Sequence, residues 1–157
     1  MRKITNSAVI DAARAVLDAH ILALNASDED ALVATLHFPN HMLTGGALKT
    51  WDTADDYFDD FRARAGGDWH HSSFDEVAVI HASIEKVHLD ICVNRFRVDD
   101  SLISQFKTIW VMAFIDGKWA AQLRSVFHPF KPSLLFEKRD FHCTSFPRKR
   151  EPRYQRH

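Results

Sequence analysis

His88 and Asp90 are the residues of this chain whose types and spacing most readily do chemistry. They stand one residue apart in Val87-His88-Leu89-Asp90-Ile91-Cys92-Val93. In a strand they share a face, about 7 Å apart by strand rise. A carboxylate set among apolar side chains has its pKa raised toward neutrality and can then trade protons near pH 7. The pair therefore reads as a base with an imidazole beside it. The plainer reading is a cross-strand charge on the solvated end of a sheet. Tyr57 offers a hydroxyl to a developing oxyanion, or simply packs in a core.

The remaining candidates are histidines, arginines and aromatic residues. Trp69-His70-His71 opens a strand, so only one of the two imidazoles can face inward; Trp69 and His70 are taken as pocket candidates. His41 begins a short hairpin near a pocket mouth. His20 lies on the apolar face of a helix and reads as a satisfied core histidine. Arg95 and Arg124 fall on the face opposite the aromatic one, where ion pairing is the simple expectation; a slip of register would make them anion-binding groups in the pocket. No metal site is expected, because none of the ten histidines has a convincing ligand spacing and Pro39 interrupts His37 and His41. No phosphate-cradling glycine loop and no nucleophile elbow is present. Cys92 reads as an inert small hydrophobe.

The elements that must position these groups follow from hydrophobic period. Val9, Ala12, Ala13, Val16, Leu17, Ile21 and Leu24 mark one face of a helix over 6–25. Ser27 and the acids behind it open a short second helix, with Ala31, Leu32, Thr35 and Leu36 inward and Pro39 as its end. Residues 41–51 form a hairpin around Gly45-Gly46. Thr53, with Asp56 three residues on, caps a third helix that Gly66-Gly67 terminates. From Trp69 the period becomes two, giving strands near 69–82, 86–98, 102–115 and 118–127. Asp116-Gly117 is a two-residue hairpin signal, and Asp99-Asp100-Ser101 a weaker turn.

If both turns are tight, the register follows. Phe114 faces Trp119 and Trp110 faces Leu123, while Phe96 faces Ser104 and Asp90 faces Trp110. One sheet face then carries His88, Asp90, Cys92, Asn94, Phe96, Phe106, Thr108, Trp110, Met112, Leu123, Ser125 and Phe127. Its aromatic character with scattered polar groups suits a pocket wall, with Phe106, Trp110, Leu123 and Ser125 against a ligand. The other face carries Val87, Leu89, Ile91, Val93, Arg95, Lys107, Ile109, Val111, Gln122 and Arg124. Such an aliphatic patch usually meets a partner, here a second copy of the chain.

The order of helix, helix, hairpin, helix and meander resembles the NTF2-like superfamily, which includes ketosteroid isomerase, scytalone dehydratase and SnoaL-type polyketide cyclases. Leu36-His37-Phe38-Pro39 and the closing Asp116-Gly117-Lys118-Trp119 through Arg124-Ser125-Val126-Phe127 carry the likeness, over about residues 5 to 130. It implies an α+β cone, three N-terminal helices packed on a strongly curved antiparallel sheet. Enzymes of that kind place carboxylates, His or Tyr in an apolar cone; the Asp, Tyr and protonated Asp of ketosteroid isomerase are a worked case. No local motif carries those residues over to this chain. The expected function is binding of a small, largely apolar molecule, with cofactor-free isomerase, dehydratase or cyclase chemistry through Asp90, His88 and Tyr57, or else a non-catalytic dimerisation or ligand-binding module.

Composition bounds these readings. A chain of 157 residues with 46% hydrophobic residues and twelve Phe makes one domain with an ample core. A net charge of −1 gives no global argument for nucleic acid. Two cysteines fit a reducing cytoplasm. No apolar run reaches spanning length, and Asp11, Arg14 and Asp18 break the stretch after Met1-Arg2-Lys3 that would otherwise resemble a leader. Residues 1–130 hold 12 Lys and Arg against 18 Asp and Glu, whereas 131–157 hold 8 against 3. The basic tail, with Pro147 and Pro152, reads as a disordered extension resembling a translated dispersed bacterial repeat; a nucleic-acid arm is the lesser reading. Leu134, Leu135 and Phe136 could dock part of it.

Overall fold

The computed structural model describes residues 6–65 and 67–127; the tail and its expected docking residues, Leu134 to Phe136, lie outside them, as does Gly66. Helix α1 (Asn6–Asn25) buries Val9, Ala13, Leu17 and His20 from the expected stripe, and Ala23 beside them. Helix α2 (Glu29–Val33) is shorter than the periodicity suggested. Asp28 caps it, accepting from the Ala31 amide at 3.0 Å, because Ser27 is held at a positive φ of 53° and cannot cap. Strand β1 (Leu36–Thr44) runs through Pro39 rather than stopping at it. A proline in a strand lacks only its own N–H. Strand β2 (Ala47–Trp51) returns across the two-residue turn at Gly45-Gly46.

Helix α3 (Ala54–Ala65) starts with the expected capping box: Thr53 Oγ1 accepts from the Asp56 amide and donates to its carboxylate. Acids in its first turn and Arg62 and Arg64 in its last complement the helix dipole. Strands β3 (His71–Ala82), β4 (Lys86–Phe96), β5 (Leu102–Ile115) and β6 (Lys118–Phe127) follow within two residues of the expected bounds. The sheet order is β2-β1-β6-β5-β4-β3. All pairings are antiparallel except β1 with β6, which is parallel. Helices packed on a curved, mostly antiparallel sheet make this an α+β fold.

The faces of the sheet differ from the sequence expectation, for a definite reason. The ladder between β5 and β6 keeps the expected register from Phe114–Trp119 to Met112–Ala121. An extra residue on β6, Gln122, then shifts it, so that Trp110 meets Arg124 and Thr108 meets Val126. Near the Asp99–Ser101 turn an extra residue on β5, Ile103, shifts the other ladder: Arg95 meets Ser104, Val93 meets Phe106 and Leu89 meets Trp110. A bulge puts two residues opposite one and reverses every face beyond it. Strand β5 keeps its expected face. Strand β4 and the second half of β6 exchange theirs.

Val87, Leu89 and Ile91 are therefore wholly buried in the core with Trp110 and Met112, and Val93, 6% exposed, joins them. His88, Asp90, Cys92, Asn94, Leu123 and Ser125 point to the outward side. The aliphatic patch expected to carry a homodimer is divided, with Lys107, Ile109 and Val111 left outward. Cys92, expected to be an inert thiol, is fully buried but is not a free thiol, so cysteine usage no longer argues for a reducing compartment. No helix among the described residues is long and apolar enough to cross a membrane.

The register can be checked by paired substitutions. Ile91→Ala should lower unfolding stability by about 2–5 kcal/mol through lost burial and a cavity. Asp90→Asn, one residue away on the outward side, should change it by about 1 kcal/mol or less. Urea denaturation of both variants distinguishes this from the opposite register, in which the order reverses.

Candidate functional site

Several side chains converge on one cavity of about 350 Å³ between the helices and the inner sheet face. Strand β5 supplies Ser104, Phe106, Thr108 and Trp110, every second residue of an inward row. Strand β4 supplies Val93 and Arg95, strand β6 Arg124 and Val126, and β3 Ser72 and Phe74. The hairpin adds Met42, Thr44 and Lys49. Helix α3 contributes Tyr57, Phe61 and Arg64, and α1 contributes His20 and Leu24.

Two local arrangements hold the helical wall in place. The Asn25 side chain, at the end of α1, donates to the Ser72 carbonyl and accepts from the Ser72 amide, both at 2.8 Å. Trp69 Nε1 donates to Ser72 Oγ at 2.9 Å, which fixes that indole at the rim. On the other side Tyr57 is 1% exposed and packs against Phe38, Trp51, Phe58 and Phe61. Those rings carry α3 on the sheet and bring Arg64 to the cavity.

The charge of the cavity is one-sided. Lys49, Arg64, Arg95 and Arg124 line it, and among the described residues no carboxylate does. Lys49 and Arg64 are both paired with Asp60. Burial works against the Asp60 carboxylate, but its hydrogen bonds and charge contacts with the two cations outweigh that and hold it below the ordinary carboxylate range. Arg95 lies over the Phe106 ring at 5.2 Å. Burial, followed by repulsion from Arg64 and Arg124, lowers its pKa.

Arg124 is the unusual member. Its guanidinium lies among three rings, 5.1 Å from Trp110, 5.4 Å from Tyr57 and 5.9 Å from Trp51. Its Nε and Nη2 are shielded from water and have no hydrogen-bond partner among the described residues. Ring faces attract the cation but leave those in-plane N–H groups unmet.

His20 is 1% exposed and neutral, its pKa lowered to about 3 by burial first and by Arg124 second. Its Nδ1 lies 2.8 Å from Thr35 Oγ1. The ring meets Trp110 edge-on at 4.8 Å and stacks near Phe74.

Of the residues expected at the site, Tyr57, Trp69, Phe106 and Trp110 line the cavity. Asp90 and His88 do not. Asp90 lies outward, 3.7 Å from Lys107, and His88 stands beside it on the same strand face. Leu123 and Ser125 also point outward, carried over by the bulge at Gln122. His41 bonds Thr50 across the hairpin, and its neighbour Met42 takes the inward position. His70 is exposed and bonds His71, so neither imidazole of that pair enters the cavity.

Sequence reasoning missed Lys49, Arg64 and the pocket role of His20. For Arg95 a signal was present: it ends the alternating row Val87, Leu89, Ile91, Val93, and goes wherever that row goes. Among the described residues no cluster of His, Cys, Asp or Glu could hold a metal ion.

This architecture recurs in solved structures. A protein of unknown function with a cystatin-like fold from Nostoc punctiforme superposes with a TM-score of 0.66 at 10% identity, covering 83% of this chain and 97% of that one. The fold is NTF2-like. An NTF2-like protein of unknown function from Pseudomonas putida gives a TM-score of 0.64 at 12% identity, covering 82% and 92%. An NTF2-like protein from Novosphingobium aromaticivorans gives 0.61 at 16%, covering 80% and 84%. No family model and no curated protein matches the sequence. Identities this low establish the NTF2-like fold, not an activity.

The neutral burial of His20 has a pH signature. Its folded pKa of about 3 lies below the ordinary 6.5, so between those values the unfolded chain binds the extra proton. Stability should be fully present above pH 6.5 and fall as pH drops toward 3, with a limiting slope of about 1.4 kcal/mol per pH unit from this group. Between pH 7 and pH 4 the urea midpoint of the wild type should fall more steeply than that of His20→Phe.

Proposed function

We propose that the cone holds a small organic anion, its charged end on Arg124 and its apolar body against Trp110, Phe106 and Phe74. The observation that carries this is the Arg124 guanidinium, two of whose nitrogens are shielded and lack partners among the described residues, in a cavity whose described lining has four cations and no carboxylate. Shielding part of a cation from water without giving it a partner is unfavourable, and a carboxylate ligand would meet it with short, charge-assisted hydrogen bonds. The surrounding rings favour an apolar or aromatic body. This narrows the sequence expectation of a largely apolar ligand to one with an acidic end.

Binding, rather than acid–base turnover through Asp90, is the reading that the placement of side chains supports. Asp90 and His88, the proposed base and its neighbour, lie across the sheet from the cavity.

Tryptophan fluorescence provides the test, because Trp110 is in contact with Arg124. Benzoate and phenylacetate should quench or shift the emission at saturable concentrations, and benzamide, of similar shape but uncharged, should bind at least about tenfold more weakly. Arg124→Leu should abolish the difference between acid and amide while raising the urea midpoint, since it removes an uncompensated charge. Equal affinity for acid and amide in the wild type would overturn the proposal.

A further inference from the structure

The hydrogen bonds around His20 fix which of its ring nitrogens carries the proton. Thr35 Oγ1 lies 2.7 Å from the Leu32 carbonyl oxygen, an atom that can only accept. The single hydroxyl hydrogen of Thr35 is therefore committed to Leu32. The 2.8 Å contact between Thr35 Oγ1 and His20 Nδ1 then has one polarity left: Nδ1 donates. In a neutral imidazole this leaves Nε2 without a proton, an acceptor. No other hydrogen bond to the His20 ring appears among the described residues.

This acceptor belongs to a ring that lines the cavity, beside Leu24, Ser72, Phe74 and Trp110. Trp110 is in contact with both groups, with the imidazole at 4.8 Å and with the Arg124 guanidinium at 5.1 Å. The cone thus offers a cationic donor and a neutral acceptor that both touch one indole, within the reach of a single small molecule.

We infer that His20 is a specificity-determining residue, which selects anions that also carry an O–H or N–H donor on the far side of an aromatic or similarly planar body, as a hydroxyarene carboxylate does. The inference rests on the anion reading above and adds a second point of recognition. A ligand with a hydroxyl satisfies Nε2, whereas one with hydrogen or an ether oxygen there leaves a buried acceptor unmet or faces it with another acceptor. The locked tautomer sets the sign of that preference: were Nε2 protonated, the site would favour an ether or carbonyl instead.

Calorimetric titration at neutral pH with benzoate, 3-hydroxybenzoate, 4-hydroxybenzoate and 4-methoxybenzoate tests it. One hydroxybenzoate should bind at least about tenfold more tightly than benzoate, and the methoxy compound should not. The ratio of hydroxybenzoate to benzoate affinity should fall to near one in His20→Phe, and also in Thr35→Val, which frees the tautomer. Benzoate binding with no preference for either hydroxybenzoate overturns the inference and leaves the anion reading intact; failure of all four acids to bind overturns both. Independently of any ligand, nitrogen-15 spectra of wild-type histidines should show His20 protonated at Nδ1 and bare at Nε2 at neutral pH. A proton on Nε2 would sink the inference even where the variants fail to fold.

Discussion

The row Val87, Leu89, Ile91 and Val93 is the constraint on which the site depends. These four side chains alternate along β4 and are buried in the core. A strand has two faces and a period of two, so burying one row decides everything else on that strand. It carries Arg95 into the cone and turns His88 and Asp90 away. Four aliphatic side chains, each worth roughly 1.5–3 kcal/mol when fully buried, outweigh the cost of drawing one partly shielded arginine along with them. Its aliphatic stem adds favourable contact, and the Phe106 face takes up part of the charge.

The cavity shows the reverse balance. Arg124 gains from three aromatic faces yet gives up hydration for two nitrogens without recovering a hydrogen bond. Asp60 is already shared between Lys49 and Arg64 and lies outside the lining. The folded state therefore retains an electrostatic deficit where an acidic ligand would remove it. Stability withheld from the free protein becomes differential affinity for such a ligand. His20 shares this economy: its burial keeps it uncharged beside the cations, so it adds no further repulsion while providing a directional acceptor.

Much of the fold was legible in the sequence. The stripe of α1, the Thr53 capping box, the Gly45-Gly46 and Asp116-Gly117 turns and the change of period at Trp69 all report local chemistry, and each corresponds to an observed element. What escaped were two single-residue bulges, at Ile103 and Gln122. Neither position carries a glycine or other turn residue, and the contact that marks one of them, from the Gln122 side chain to the Pro39 carbonyl on β1, exists only once the strands are assembled. Because β5 keeps its face, Phe106 and Trp110 were placed in the cavity. The exchange in β4 and late β6 displaced Asp90, His88, Leu123 and Ser125. An aliphatic row with no interruption was better evidence for the core than an aromatic row broken by Asp and His. The pocket cations on the hairpin and α3 were not legible, since Lys49 and Arg64 have the ordinary look of surface charges until it is known that both meet Asp60 and that Arg64 lies over the Trp51 ring at 5.2 Å.

The parallel ladder between β1 and β6 has a consequence for the order of assembly. Leu36 pairs with Ala121 and Thr44 with Val126, so a strand made early on the ribosome must wait for one made about eighty residues later. Until then the edge of β1 that faces β6 has no backbone partner, and the cone lacks the strand that brings Arg124. The helices and the first hairpin can form early, but the floor beneath them is a late, non-local event, of the kind that slows folding in sheets of high contact order. A nascent chain halted before residue 121 would carry the aromatic cluster around Tyr57 with no sheet centre to close over it, and would present to chaperones the surface that the finished protein encloses in its cavity.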